Sequence, residues 1–132
     1  MKIYIASYFD TRARLRPIKD KLWAMGHEVV STWLDETTKM PEMTKHQFWS
    51  KLALKDLCEV QSADMLVIDT IDVTERGGRE VELGFAIGGS RNKLIFVVGP
   101  IRNIFHTLAD KQFVNWDECL EHIRIIDALH ND

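Results

Sequence analysis

Residues 64–89 read DMLVIDTIDVTERGGREVELGFAIGG. Residues 65–68 form a continuous apolar run closed on each side by aspartate, the pattern of a parallel strand buried on both faces. After a polar loop, the pair Gly77-Gly78 opens a helix that ends near Gly88-Gly89. A strand, a glycine turn and a helix in that order make half of a βαβ unit, which commits the sheet to parallel strands covered on both faces.

Working outward, the same alternation continues. Lys2–Ala6 (KIYIA) reads as a first strand, and residues 11–26 as a helix with Leu15, Ile18, Leu22 and Met25 at helical spacing and Gly26 as its stop. Pro17 must lie in the first turn of that helix or kink it. Residues 28–33 (EVVSTW) are a second strand, 35–43 a polar loop and 44–62 a helix. Residues 93–98 (KLIFVV) give a fourth strand, followed by Gly99-Pro100 and a short irregular or helical segment. Residues 112–115 read as a short fifth strand. The last element, 116–129, is an amphipathic helix with Trp116, Cys119, Leu120, Ile123 and Ile126 on one face. The expected architecture is a single α/β domain over residues 1–132, a flavodoxin/Rossmann-like three-layer sandwich with strand order 2-1-3-4-5. Ligands in such sheets bind beyond the carboxyl ends of the strands at the switch point. Here that lies between the first and third strands, so the loops 7–14 and 70–78 are the candidate site.

Composition narrows the classes. The chain has 132 residues, 45% hydrophobic and 28% charged, with no repeat or low-complexity tract, as expected of one soluble globular domain. A net charge of -3 argues against a dedicated nucleic-acid or anionic-membrane binder. No apolar run approaches the ~20 residues of a membrane helix. The start, MKIYIASYF, reads as a strand rather than a signal peptide, so the expected location is cytoplasmic. Cys58 and Cys119 lack ligand or CxxC spacing and read as two reduced, mostly buried thiols. The sequence holds no recognisable metal site and calls for no cofactor.

Two carboxylates stand where a simple core element would not place them. Glu82 lies between Val81 and Leu83, in the first turn of its helix or just past it, at the mouth of the expected cleft. The helix dipole there favours a negative charge, although first-turn glutamates also occur merely as solvated helix starters, as Glu80 does. Asp56 falls on or beside the stripe formed by Trp49, Leu52, Ala53, Leu57 and Val60. Facing the sheet, it must be hydrogen-bonded or open to a cleft; at the stripe's edge it would cap a neighbouring loop. Two carboxylates on one cleft point to glycosyl transfer, one attacking the anomeric carbon while the other manages protons. Tyr4 is placed either to donate a hydrogen bond to the nucleophile or to pack in the core.

At these positions the chain resembles the nucleoside 2-deoxyribosyltransferase-like enzymes, which include nucleoside deoxyribosyltransferases and nucleoside 5′-monophosphate N-glycosidases. The resemblance runs through KIYIASYF, KDLCEVQSADMLVID and GGREVELGFAIG. The tail, KLIFVVGPIRNIFHTL and then FVNWDECLEHI, is similar to a phage and bacterial subgroup. It implies that Glu82 is the nucleophile, that Asp56 assists proton movement at the base or acceptor, and that Tyr4 orients Glu82. It also implies a small-molecule nucleoside or nucleotide as substrate and an active site completed by a second copy of the chain, with His106 lent across that interface. The sequence departs from the family's monophosphate hydrolases in two places. Arg76 and His106 stand where those enzymes hold the phosphate with small hydroxyl residues, and the first loop, Ser7-Tyr8-Phe9-Asp10-Thr11-Arg12, lacks their glycines.

Arg76 or Arg79 would then meet the phosphate beside Gly78, where the chain turns, with Ser7 and Arg12 adding contacts at a helix N-terminus. Arg14 and Arg16 read instead as an ordinary solvated basic face. Tyr8, Phe9 and Trp33 would stack on a base or serve as core and rim. The leading expectation is an N-glycosidase for a (2′-deoxy)nucleoside 5′-monophosphate; a base-exchanging deoxyribosyltransferase is the alternative and a non-catalytic nucleotide-binding module the third. A flavodoxin-like electron carrier fits the fold class, but SYFDTRAR is not the hydroxyl- and glycine-rich phosphate loop it would need.

Overall fold

A computed structural model describes residues 1–36, 43–89 and 92–130. Five parallel strands, β1 (Lys2–Ala6), β2 (Glu28–Val29), β3 (Met65–Asp69), β4 (Leu94–Val98) and β5 (Lys111–Phe113), lie in the order β2-β1-β3-β4-β5. Helices α1 (Arg12–Ala24) and α4 (Trp116–His130) cover one face, and α2 (Lys45–Ser62) and α3 (Gly78–Gly88) pack on the other. The three-layer sandwich and its strand order are those expected from the sequence. Every residue of β3 is buried, as its unbroken apolar run requires. Most of the expected loop 35–43 falls on 37–42, outside the described residues.

Local chemistry sets the element ends. Helix α1 stops in a Schellman turn: the N–H of Gly26, at φ 91°, bonds to the Trp23 carbonyl and that of His27 to the Leu22 carbonyl. Pro17 lies in the second turn of α1 and faces solvent. Helix α2 begins with a capping box, Thr44 Oγ1 accepting from the Gln47 N–H while Gln47 Oε1 accepts from the Thr44 N–H. Gly99, at φ 119°, turns β4 back so closely that a Cβ there would sit 2.6 Å from Thr70 Oγ1.

Several expectations need correction. The second strand was expected over 28–33 but ends at Val29, and Thr32–Asp35 forms a 3-10 turn. Side chains replace the ladder there: the Ile5 N–H donates to Ser31 Oγ (3.1 Å), and Trp33 Nε1 donates to the Ile5 carbonyl (2.8 Å). The buried line of α2 does not include Trp49 and Ala53, which are exposed; Leu52, Asp56 and Val60 face inward. Cys58 is exposed rather than buried, although both cysteines are free thiols. Arg14 and Arg16 are exposed, as expected, but each is also engaged. Arg14 pairs with Asp69 and Asp72, and Arg16 donates to the Leu34 carbonyl.

Candidate active site

The sheet order arranges the site in a line. Beyond β2 come Trp33 and Glu36, beyond β1 come Ser7, Tyr8 and Phe9, and beyond β3 come Thr74, Arg76 and Gly78. Together with Leu52 and Asp56 from α2 and Arg79 and Glu82 from α3, they line a pocket of about 220 Å³. It opens at the carboxyl edge of the sheet, beside the switch point between β1 and β3.

Glu82 is the fifth residue of α3, one turn past the helix start. Its neighbour Leu83 is fully buried, whereas Val81 is exposed, so Glu82 sits on the boundary between core and pocket. Tyr4, fully buried in β1, donates its hydroxyl to Glu82 Oε2. Burial pushes the Glu82 carboxyl up to about 8; the Tyr4 hydrogen bond opposes that rise and the charge of Asp56 adds to it. Desolvation is the largest influence on this carboxyl and favours its neutral form. The Tyr4 phenol is itself raised by burial and by Glu82, so it stays a hydrogen-bond donor.

Asp56 faces the same pocket from α2. Burial raises its carboxyl to about 6, opposed by Lys55 and reinforced by Glu59. Its Oδ1 is buried with no hydrogen-bond partner among the described residues. A buried carboxylate oxygen left without a donor costs stability unless a ligand or water supplies one. The arrangement thus offers two carboxyl groups of elevated proton affinity, one anchored by a phenol and one open to the cavity. In chemical terms, such a pair is able to supply a nucleophile and a proton carrier.

The remaining candidates separate into two groups. Ser7 lines the pocket with its Oγ against Thr11 Oγ1 at 2.9 Å. Tyr8 lines it with the Arg76 guanidinium 5.6 Å from its ring centre, and Trp33 and Phe9 line it as a tilted pair 6.5 Å apart. Arg76 is exposed on the β3–α3 loop, and Gly78 starts α3 beside it. Three others are engaged elsewhere. Arg12 lies over the Phe9 ring and donates to the Phe9 and Glu36 carbonyls, bracing the first loop rather than facing the cavity. Arg79 lines the pocket but is 4% exposed, with Nε on Glu80 and NH1 on the Asp69 and Asp72 carbonyls. His106 is buried, its Nε2 3.1 Å from Glu80 Oε1 and its Nδ1 accepting from the Arg102 N–H. A ring enclosed in this way has no free edge to lend across an interface.

Sequence reasoning missed Glu36, Leu52 and Thr74 as pocket residues. Glu36 pairs with Lys55 beside Asp56. The usable signal was the strand order, which sets the segment after β2 next to the loop after β1. Among the described residues, no group of His, Cys, Asp and Glu has the spacing to hold a metal ion, and no helix is long and apolar enough to cross a membrane.

The chain matches no sequence model of a known protein family and no curated protein. Solved structures do match. The 2-deoxyribosyltransferase of the psychrotolerant bacterium Bacillus psychrosaccharolyticus superposes with a TM-score of 0.73 at 22% identity, over 91% of this chain and 90% of that one. The CMP N-glycosidase of Clostridium botulinum superposes with a TM-score of 0.57 at 17% identity, over 95% of this chain and 99% of that one. Across nearly its whole length, then, the chain has the fold of a 2-deoxyribosyltransferase and of a CMP N-glycosidase, the two kinds of enzyme that the sequence resemblance brought together.

Proposed function

We propose that the protein is an N-glycosidase of the nucleoside 2-deoxyribosyltransferase-like kind, acting on a (2′-deoxy)nucleoside 5′-monophosphate. One observation carries this: Glu82, in the pocket at the switch point, takes a hydrogen bond from Tyr4 while Asp56 faces the same cavity with an unpartnered oxygen. A binding module has no need of a desolvated carboxylate anchored in this way.

The reactive form is the one in which the single proton shared by the pair sits on Asp56 and Glu82 is ionised; Glu82 Oε1, the oxygen that Tyr4 does not hold, then attacks C1′ as the C1′–N bond breaks and its electron pair leaves with the base. Protonated Asp56 delivers a proton to the departing base. Asp56, now ionised, takes a proton from water as that water attacks C1′, freeing Glu82 and releasing the sugar 5-phosphate. Two displacements at C1′ retain its configuration. Arg76 and Ser7 take the phosphate, and Phe9 and Trp33 flank the base at the β2 end. Exposed apolar residues Val81, Phe105 and Leu108 beside α3 give a second copy of the chain a face on which to complete the site.

A base-exchanging deoxyribosyltransferase is the second reading, favoured by the higher TM-score to the Bacillus enzyme. Incubation with nucleosides and 5′-monophosphates, with and without a free acceptor base, separates the two by chromatography. Base release from a monophosphate without acceptor supports the N-glycosidase. Exchange alone supports the transferase, and no product from any substrate contradicts both.

A further inference from the structure

The start of the β3–α3 loop is gripped from outside by arginines. The carbonyls of Asp69, Thr70, Ile71 and Asp72, four in succession, each accept a hydrogen bond from a guanidinium. Arg102, in the segment after β4, donates Nε to Thr70 (2.6 Å) and NH2 to Ile71 (2.9 Å). Arg79 reaches Asp69 (3.3 Å) and Asp72 (3.0 Å) through NH1. Loop carbonyls ordinarily turn to water, which leaves a loop free to move.

The two arginines are also braced against each other. The Arg102 N–H donates to His106 Nδ1 at 3.0 Å, His106 Nε2 lies 3.1 Å from Glu80 Oε1, and the same oxygen accepts from Arg79 Nε at 2.8 Å. His106 and Arg79 thus share one hydrogen-bonded chain that runs to Arg102. Arg102 does not line the pocket, yet the loop it holds carries Arg76, which does.

We propose that Arg102 is a positioning residue that acts through the 70–77 loop to hold Arg76 at the pocket. The clamp stands on geometry alone; its effect on phosphate binding rests on the function proposed above. Because the guanidinium meets two carbonyls with its planar fork, lysine can replace only part of the grip.

The test uses Arg102→Ala, a change at an exposed residue, with Arg102→Lys beside it. Amide hydrogen exchange across 71–77 is measured first and needs no substrate. Exchange is expected to quicken by roughly tenfold in Arg102→Ala and less in Arg102→Lys, while the core strands keep their protection. Unchanged exchange in the loop overturns the clamp, as does equal quickening throughout the chain.

A double-mutant cycle with Arg76→Ala then follows KM for a nucleoside 5′-monophosphate. Arg102→Ala alone is expected to raise KM by about tenfold with kcat changed less than about threefold, and to add under about twofold once Arg76 is gone. Full additivity overturns the route through Arg76. A wild-type protein that turns over no nucleotide overturns the proposed function, and the exchange measurement still decides the clamp.

Discussion

Two kinds of carboxylate stand at the carboxyl edge of the same sheet. Asp69, at the end of β3, is fully buried and receives four N–H donors: two from Arg14, Trp116 Nε1 at 2.7 Å and the Ile71 N–H at 3.0 Å. Glu82 and Asp56, a short way along the same rim, are handled in the opposite manner. Glu82 is held by a phenol, Asp56 has an oxygen without a donor, and burial raises both toward the neutral form. A carboxylate saturated with donors fixes the positions of the elements that supply them, here α1, α4 and the loop after β3. One stripped of donors retains its reactivity toward an electrophile or a proton. The contrast separates scaffold from chemistry without reference to any relative.

The contrast breaks most visibly at Glu82. Glu82→Gln is expected to lower base release by at least ~10³-fold, because an amide cannot serve as the nucleophile. The fold is expected to survive, and the stability difference has a definite sign. Glu82 is neutral when folded up to about pH 8 but ionised when unfolded above about 4.5, so its contribution to stability falls as pH rises across that window. Glu82→Gln should therefore gain stability relative to wild type between pH 5 and pH 8, read by denaturant titration at both. A constant difference would contradict the desolvated carboxyl.

Asp69→Ala should do the reverse. It strands Arg14 and Trp116 Nε1 and is expected to cost about 3 kcal/mol, with any activity loss following from unfolding. A variant that keeps its stability but loses turnover would move Asp69 to the reactive side of the comparison.

Asp56→Asn sharpens the comparison through pH. With carboxyl groups near 6 and 8, kcat/KM is expected to be bell-shaped, peaking near pH 7 where the pair shares one proton. Asn at 56 is expected to cost about 10²-fold and to remove the alkaline limb, leaving a rate that rises as Glu82 ionises. A surviving alkaline limb would assign the proton to another group. The smallest effect is expected from Tyr4→Phe. It removes a hydrogen bond that lowers the Glu82 proton affinity, so the limb near pH 8, which follows Glu82, should move to higher pH and turnover fall about tenfold; an unmoved alkaline limb would contradict Tyr4 as the anchor.

Much of the fold was legible because its signals are local. The apolar run ending at Asp69, the glycines before α3 and the Gly26 stop each act over a few residues. The shortened β2 was not legible, since it depends on Ser31 and Trp33 side chains bonding to Ile5, twenty-six and twenty-eight residues away in sequence. Glu82 and Asp56 stood out as charges in apolar surroundings. The uses of Arg79, His106 and Arg14 did not, because a guanidinium on a phosphate and one on a carbonyl look alike in sequence.

The central claim is that Glu82 forms a covalent bond to the sugar. Acid-quenching the protein during turnover of a nucleoside 5′-monophosphate, followed by peptide mass spectrometry, tests it directly. A glycosyl-phosphate adduct on Glu82 in the wild type, absent from Glu82→Gln, is the expected result. Base release from a wild type that carries no adduct on Glu82, or continued base release from Glu82→Gln, would contradict it.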